Sequence, residues 1–84
     1  MARIKICGIT RPEDAQCAAD AGADAVGMIF YDSSPRAVDV RRARDIVQDL
    51  PPFITRVGVF VNETAYTVAN IADTCGLDVL QFHG

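Results

Sequence analysis

The chain has 84 residues, half of them hydrophobic and 23% charged, with a net charge of −3. That suffices for one small globular domain with a modest core, and it is too apolar for a disordered chain. The acidic balance excludes the basic footprint of a nucleic-acid binder: Arg41, Arg42 and Arg44 are diluted by Asp39, Asp45 and Asp49 and read as a solvated helix face.

The first strand signal runs from Arg3 to Cys7. Thr10 precedes Glu13 by three residues, with Pro12 between, which predicts a capping box. The first helix then spans Pro12 to Ala21, with Ala15, Ala18 and Ala19 on one face and Gly22 as a left-handed stop. Ala25 to Phe30 is an uncharged second strand, followed by a polar loop over Tyr31 to Arg36. Asp39 caps a second helix in which Ala43, Ile46, Val47 and Leu50 recur at helical spacing, ended by Pro51 and Pro52. Arg56 to Val61 is a third strand. Asn62 or Thr64 caps a third helix with Ala65, Val68, Ala69 and Ala72 on its apolar side, closed by Gly76. Asp78 to His83 is a fourth strand, mostly apolar. A weak repeat links Gly22-Ala23-Asp24-Ala25-Val26 with Gly76-Leu77-Asp78-Val79-Leu80, as successive βα units would produce.

No apolar run approaches the ~18 residues of a membrane span, and the N-terminal apolar residues alternate with Arg3 and Lys5, unlike a signal peptide. Three cysteines, Cys7, Cys17 and Cys75, are an odd number at unrelated spacings, which argues against a disulfide framework or a zinc site and for a reduced, cytoplasmic protein. The class is α/β, in the order β-α-β-α-β-α-β with parallel strands and right-handed crossovers. Two architectures fit: a small doubly wound sheet, or part of a (βα)8 barrel. No G-x-G-x-x-G fingerprint follows the first strand, which disfavours a nucleotide-binding sheet.

Cys7 lies where a strand turns into a helix, the edge at which parallel α/β folds collect ligands and catalytic groups. Taken alone it reads first as a small buried hydrophobe. Arg36 taken alone is a solvated loop arginine, and His83 a satisfied polar group. Cys17 and Cys75 read as structural, and Asp24 and Asp78 as loop and cap residues at the end opposite Cys7.

The blocks Lys5-Ile6-Cys7-Gly8-Ile9-Thr10, Pro12-Glu13-Asp14-Ala15, Gly22 to Gly27, Phe30-Tyr31, Ser34-Pro35-Arg36, Leu50 to Phe53, Arg56 to Asn62 and Gln81-Phe82-His83-Gly84 together resemble the N-terminus of the phosphoribosylanthranilate isomerase family, across essentially the whole chain. The resemblance implies the N-terminal part of a (βα)8 TIM barrel, residues 1–84 forming a single partial domain of three βα units plus a fourth strand. It implies an Amadori rearrangement in tryptophan biosynthesis, turning N-(5-phosphoribosyl)anthranilate into 1-(2-carboxyphenylamino)-1-deoxyribulose 5-phosphate without cofactor or metal. Carried over by position, Cys7 matches the general base, and Arg36 the arginine that holds the anthranilate carboxylate. Gly8 and His83 match positions lining the substrate site. The start of the first helix is then the natural source of help for the thiol. A complete barrel needs ~200 or more residues; the family's aspartate general acid and its phosphate loops have no counterpart here. Three readings stay open: a portion of that isomerase, a non-catalytic chain that self-associates or needs a complementing C-terminal portion, or another phosphate-handling TIM-barrel enzyme. The implied partner is a small-molecule substrate, with no nucleic acid and no membrane.

Overall fold

A computed structural model describes residues 3–83; Gly84 of the last block lies outside the described residues. The elements follow in chain order: β1 Lys5–Cys7, α1 Pro12–Asp20, β2 Ala25–Ile29, α2 Val40–Gln48, β3 Thr55–Val61, α3 Ala65–Cys75 and β4 Val79–His83. All pairings are parallel, in the spatial order β1-β2-β3-β4. That order decides between the two architectures. A doubly wound sheet reverses direction at a switch point and carries helices on both faces. Here every crossover steps the same way, and α2 packs against both α1 and α3, so the helices form one layer on one face.

The sheet is also curved. β1 and β4 are its two outermost strands, and in a flat sheet they would lie about 14 Å apart, three strand spacings of ~4.8 Å. Yet Lys5 Nζ of β1 donates to Gln81 Oε1 of β4 at 2.6 Å. The strands bend toward one another into a trough, an arc of a (βα)8 barrel.

Register assigns the two faces. Val26, Met28, Phe30 and Phe60 are buried with residues of the three helices in one core, beside Ala15, Ala43, Ile46 and Val68. Phe30 and Phe60 stack at 5.2 Å between ring centroids, an arrangement that adds about 1 kcal/mol beyond burial. Side chains alternate along a strand and align across a parallel register. Lys5, Cys7, Gly27, Val59, Gln81 and His83 therefore occupy the concave face.

The helix starts show where local rules competed. The predicted capping box at Thr10 and Glu13 does not form: the N-cap of α1 is Arg11, with no side-chain cap. Pro12 is the cause. The residue before a proline is held extended, and Arg11 sits at φ −136°, ψ 147°, so the helix begins one residue too late for Thr10 to cap it. Arg11 instead grips Asp14 through Nε and Nη2, at 3.1 and 3.0 Å, and this holds the Asp14 carboxyl below its ordinary range. Asp39 caps α2 as expected, and α2 ends at Gln48, before Pro51 and Pro52. Of the two candidates for α3, Thr64 is the cap; Asn62 takes a left-handed φ of 52° instead. The buried stripe of α3 is rotated from the predicted one. Val68 and Cys75 are buried, with Ile71 packed against the core, while Ala65 and Ala69 are exposed. The larger side chains gain more by burial than alanines do. Cys75 is structural, its Sγ facing Val40 O at 3.7 Å; burial pushes its thiol above the ordinary value, and the charge of Arg44 offsets this only in part. Cys17, read as structural, is exposed on α1.

The weak sequence repeat has a structural cause. Asp24 donates its N–H to Ile4 O and accepts the Ile4 N–H on Oδ2, both at 2.8 Å. Asp78 treats Arg56 the same way, at 2.8 and 2.9 Å. Each aspartate clamps the start of the preceding parallel strand at two points. Asp24 O also accepts from Thr55 N at 2.9 Å, so this residue joins three strands. Arg56 in turn donates to Ile54 O at 2.7 Å and Leu50 O at 3.2 Å, tying the α2–β3 connection to the sheet. Asp24→Ala should destabilise the fold by about 1 kcal/mol through the orphaned Ile4 N–H, read as a lower urea midpoint at unchanged m. Asp20→Ala, which loses only a surface contact with Gln16, is the control and should move it little.

Candidate active site

The C-terminal ends of the strands gather the residues that the sequence singled out. β1 stops at Cys7 and the chain turns at Gly8, whose φ of +85° is a conformation side chains rarely adopt. That turn sends the N–H groups of Gly8 and Ile9 to Gly27 O, at 3.0 and 3.1 Å. The end of β1 is thereby locked to β2. The Cys7 thiol lies over Gly27, where an added Cβ would come within 3.1 Å of Sγ. A side chain at position 27 would displace it. Cys7 is exposed on the concave face, so it is not an inert core thiol. The two amides that follow it are both engaged by Gly27, and α1 itself starts only at Pro12.

Arg36 reaches the same rim from the loop after β2. Ser34 Oγ accepts the Arg36 N–H at 3.2 Å, and Val38 N–H returns to Ile29 O at 2.9 Å. The loop thus folds back on the end of β2 and swings Arg36 over β1. Its guanidinium lies against Gly8: a Cβ there would sit 2.8 Å from Nη1 and 3.0 Å from Cζ. Gly8 serves both as the turn and as the floor beneath the guanidinium. Among the described residues the salt bridges belong to Arg11, leaving the Arg36 fork without a carboxylate partner.

His83 ends β4, exposed and beside Val61 in register. Gln81 Nε2 lies 2.8 Å from His83 Nε2, and Gln81 Oε1 takes the Lys5 ammonium. The sequence alone assigns Lys5 and Gln81 no role. The signal was there: Lys5 and Gln81 stand two residues before Cys7 and His83, and strand alternation puts each pair on one face.

The four strands contain no acidic residue, while Lys5 lies on the concave face and Arg36 at its rim. The trough suits an anionic ligand with a carboxylate or phosphate. The described residues contain no group of three or more His, Cys, Asp or Glu that could hold a metal, and no helix is long and apolar enough to cross a membrane.

The family model described as N-(5'phosphoribosyl)anthranilate (PRA) isomerase matches residues 4–84. The chain belongs to that family. It is 67% identical over 84 residues to N-(5'-phosphoribosyl)anthranilate isomerase of Acidithiobacillus ferrooxidans, covering all of this chain and 41% of that protein. It is 63% identical over 82 residues to the Pseudomonas aeruginosa enzyme of the same name, covering 98% and 39%. The fold superposes on phosphoribosyl anthranilate isomerase from Thermotoga maritima with a TM-score of 0.98 at 49% identity, over 100% of this chain and 41% of that one. A phosphoribosyl anthranilate isomerase in complex with reduced 1-(o-carboxyphenylamino)-1-deoxyribulose 5-phosphate matches equally well, at TM-score 0.98 and 49% identity, over 100% and 43%. The chain therefore spans about two-fifths of the length of these relatives and is an N-terminal portion of the isomerase, an arc of its TIM barrel.

Gly8→Ala should cost about 1 kcal/mol or more, from the left-handed backbone and from the collision with Arg36. Adding Arg36→Ala should recover the collision part only, visible as a positive coupling in a double-mutant cycle by urea denaturation. Strict additivity would mean that Arg36 does not rest on Gly8.

Proposed function

We propose that this chain supplies the β1–β4 side of an active site that isomerises N-(5-phosphoribosyl)anthranilate to its aminoketose, within one partial barrel domain of residues 1–84. The observation that carries the reading is that the Cys7 thiol lies over Gly27 and the Arg36 guanidinium over Gly8, two glycines joined by the Gly8 N–H to Gly27 O hydrogen bond at the C-terminal ends of β1 and β2. In this reading the ribose ring opens to a Schiff base, and Cys7 removes the C2′ proton as general base. Arg36 grips the anthranilate carboxylate, because a planar fork of donors fits a planar carboxylate. Gly8 lets substrate and guanidinium approach the backbone, and His83 lines the far wall. The ring oxygen needs a proton donor from outside these residues. The unpaired cysteines, two of them exposed, suit a reducing, cytoplasmic setting.

The non-catalytic alternative has its own support and concerns the chain alone. Val79, Leu80 and Phe82 of β4 are 46%, 38% and 63% exposed, and β1 and β4 are open sheet edges. Apolar edges recruit further strands. We infer that the chain by itself self-associates and turns nothing over until a complementing C-terminal portion is added.

A chimera tests both statements. This chain replaces the matching segment of the Acidithiobacillus relative. The chimera should isomerise phosphoribosylanthranilate, and the chain alone should scatter light as an assembly without activity. In the chimera Cys7→Ala should lower kcat by about 10²–10⁴-fold with KM little changed, the usual worth of a general base. Near-normal turnover would remove Cys7 from the chemistry. Arg36→Lys should raise KM although the charge is kept, because the bidentate geometry is lost; an unchanged KM would return Arg36 to the solvent.

A further inference from the structure

The chain Lys5–Gln81–His83 constrains its members more than three separate contacts would. Lys5 Nζ has hydrogens and no lone pair, so it only donates. The Gln81 atom 2.6 Å away from it must be the carbonyl oxygen. That assignment leaves the Gln81 amide nitrogen, a pure donor, pointing at His83 Nε2 across 2.8 Å. Two donors cannot share that contact. His83 Nε2 must accept, so in the neutral ring the proton sits on Nδ1. The lysine on β1 thus selects the tautomer of a histidine on β4, across the whole width of the trough.

We propose that Lys5 and Gln81 are positioning residues that hold His83 as its Nδ1–H tautomer. The rim of β4 then presents a fixed donor to an oxygen of the substrate, a hydroxyl or carboxylate. The assignment of a substrate to this rim rests on the function proposed above; the tautomer does not. The arrangement also explains why a lysine occupies the concave face two residues before Cys7. An ammonium on the concave face is held by an amide that uses its other end to orient His83, and a leucine or methionine at position 5 could not do this.

The test exploits a feature of this sequence: His83 is its single histidine. Solid-state 15N NMR of the ring-labelled chain, taken where the imidazole is neutral, reads the tautomer whatever the assembly size. The pyrrole-like and pyridine-like nitrogens resonate far apart. The expected result is a protonated Nδ1 and a bare Nε2. Gln81→Glu should invert this. A carboxylate still receives the Lys5 ammonium, but it can only accept from His83, which moves the proton to Nε2. Lys5→Met should release the Gln81 amide to flip and let Nε2–H appear, and Lys5→Arg should restore Nδ1–H. Strand carbon shifts of β4 confirm in each variant that the fold is kept. An Nε2–H ring in the unsubstituted chain, or no inversion in Gln81→Glu, overturns the tautomer assignment. In the chimera, Gln81→Glu should lower kcat/KM by about tenfold or more, as for a misaligned group. An inverted tautomer with unchanged turnover overturns the positioning role, and it leaves the Cys7 assignment standing.

Discussion

The two-point clamp between an aspartate and the start of the preceding strand is the constraint on which the rest depends. Asp24 joins β1, β2 and β3, and Asp78 joins β3 to β4. A clamp that engages both the N–H and the C=O of one residue cannot slide by one position without losing both bonds. Since side chains alternate along a strand, a slip of one residue would move Cys7, Gln81 and His83 from the trough to the helix side. It would also move the fully buried Val26 and Met28 out of the helix-side core. The clamps sit at the N-terminal ends of the strands, whereas Cys7, Arg36 and His83 lie at the C-terminal ends. In parallel barrels generally, the first of these ends serves stability and the second is where ligands collect.

Above the clamps, two glycines do work that no other residue could. Gly27 lies beneath the Cys7 thiol, and Gly8 lies beneath Arg36 with a positive φ. Both sit where two strands and one returning loop converge, so the site is crowded at the backbone and open toward the solvent. The cationic character of the trough follows from the same packing. Lys5 escapes the helix side by strand parity, and the Gln81 carbonyl satisfies one of its donors. Acidic residues lie at joints, in loops and on helix surfaces, outside the four strands.

The outer layer is less complete than the inner one. The Phe30–Phe60 stack continues to Phe82, 6.1 Å away and tilted by 31°, but that last ring is mostly exposed. Residues that pack against α1, α2 and α3 are buried, and the corresponding residues of β4 are not. A repeating βα architecture buries each strand with the helices on either side of it. The exposed apolar face of β4 is therefore a property of its position in the arc, and no polar substitution there offsets it.

Much of this was legible in the sequence, because the signals are local. The alternation of apolar strand runs with helical spacing, the Asp39 and Thr64 caps, and the glycine stops are decided within a few residues. Two local expectations failed where neighbouring rules conflicted: proline geometry at Arg11 overrode the Thr10 capping box, and side-chain size rotated the buried stripe of α3. The repeated Gly-x-Asp pattern was visible, but its meaning was not, since the aspartates act on residues 20 and 22 positions earlier in the chain. The sequence by itself determined the class, the order of elements and the family blocks around Cys7, Arg36 and His83. Only the tertiary structure decided that the sheet curves into an arc, that Arg36 rests on Gly8, and that Lys5 reaches Gln81 across 76 positions of sequence. The physical reason is that strand parity is written along the chain, whereas curvature is set by how helices and strands pack together, and curvature brings the two outermost strands within hydrogen-bond reach.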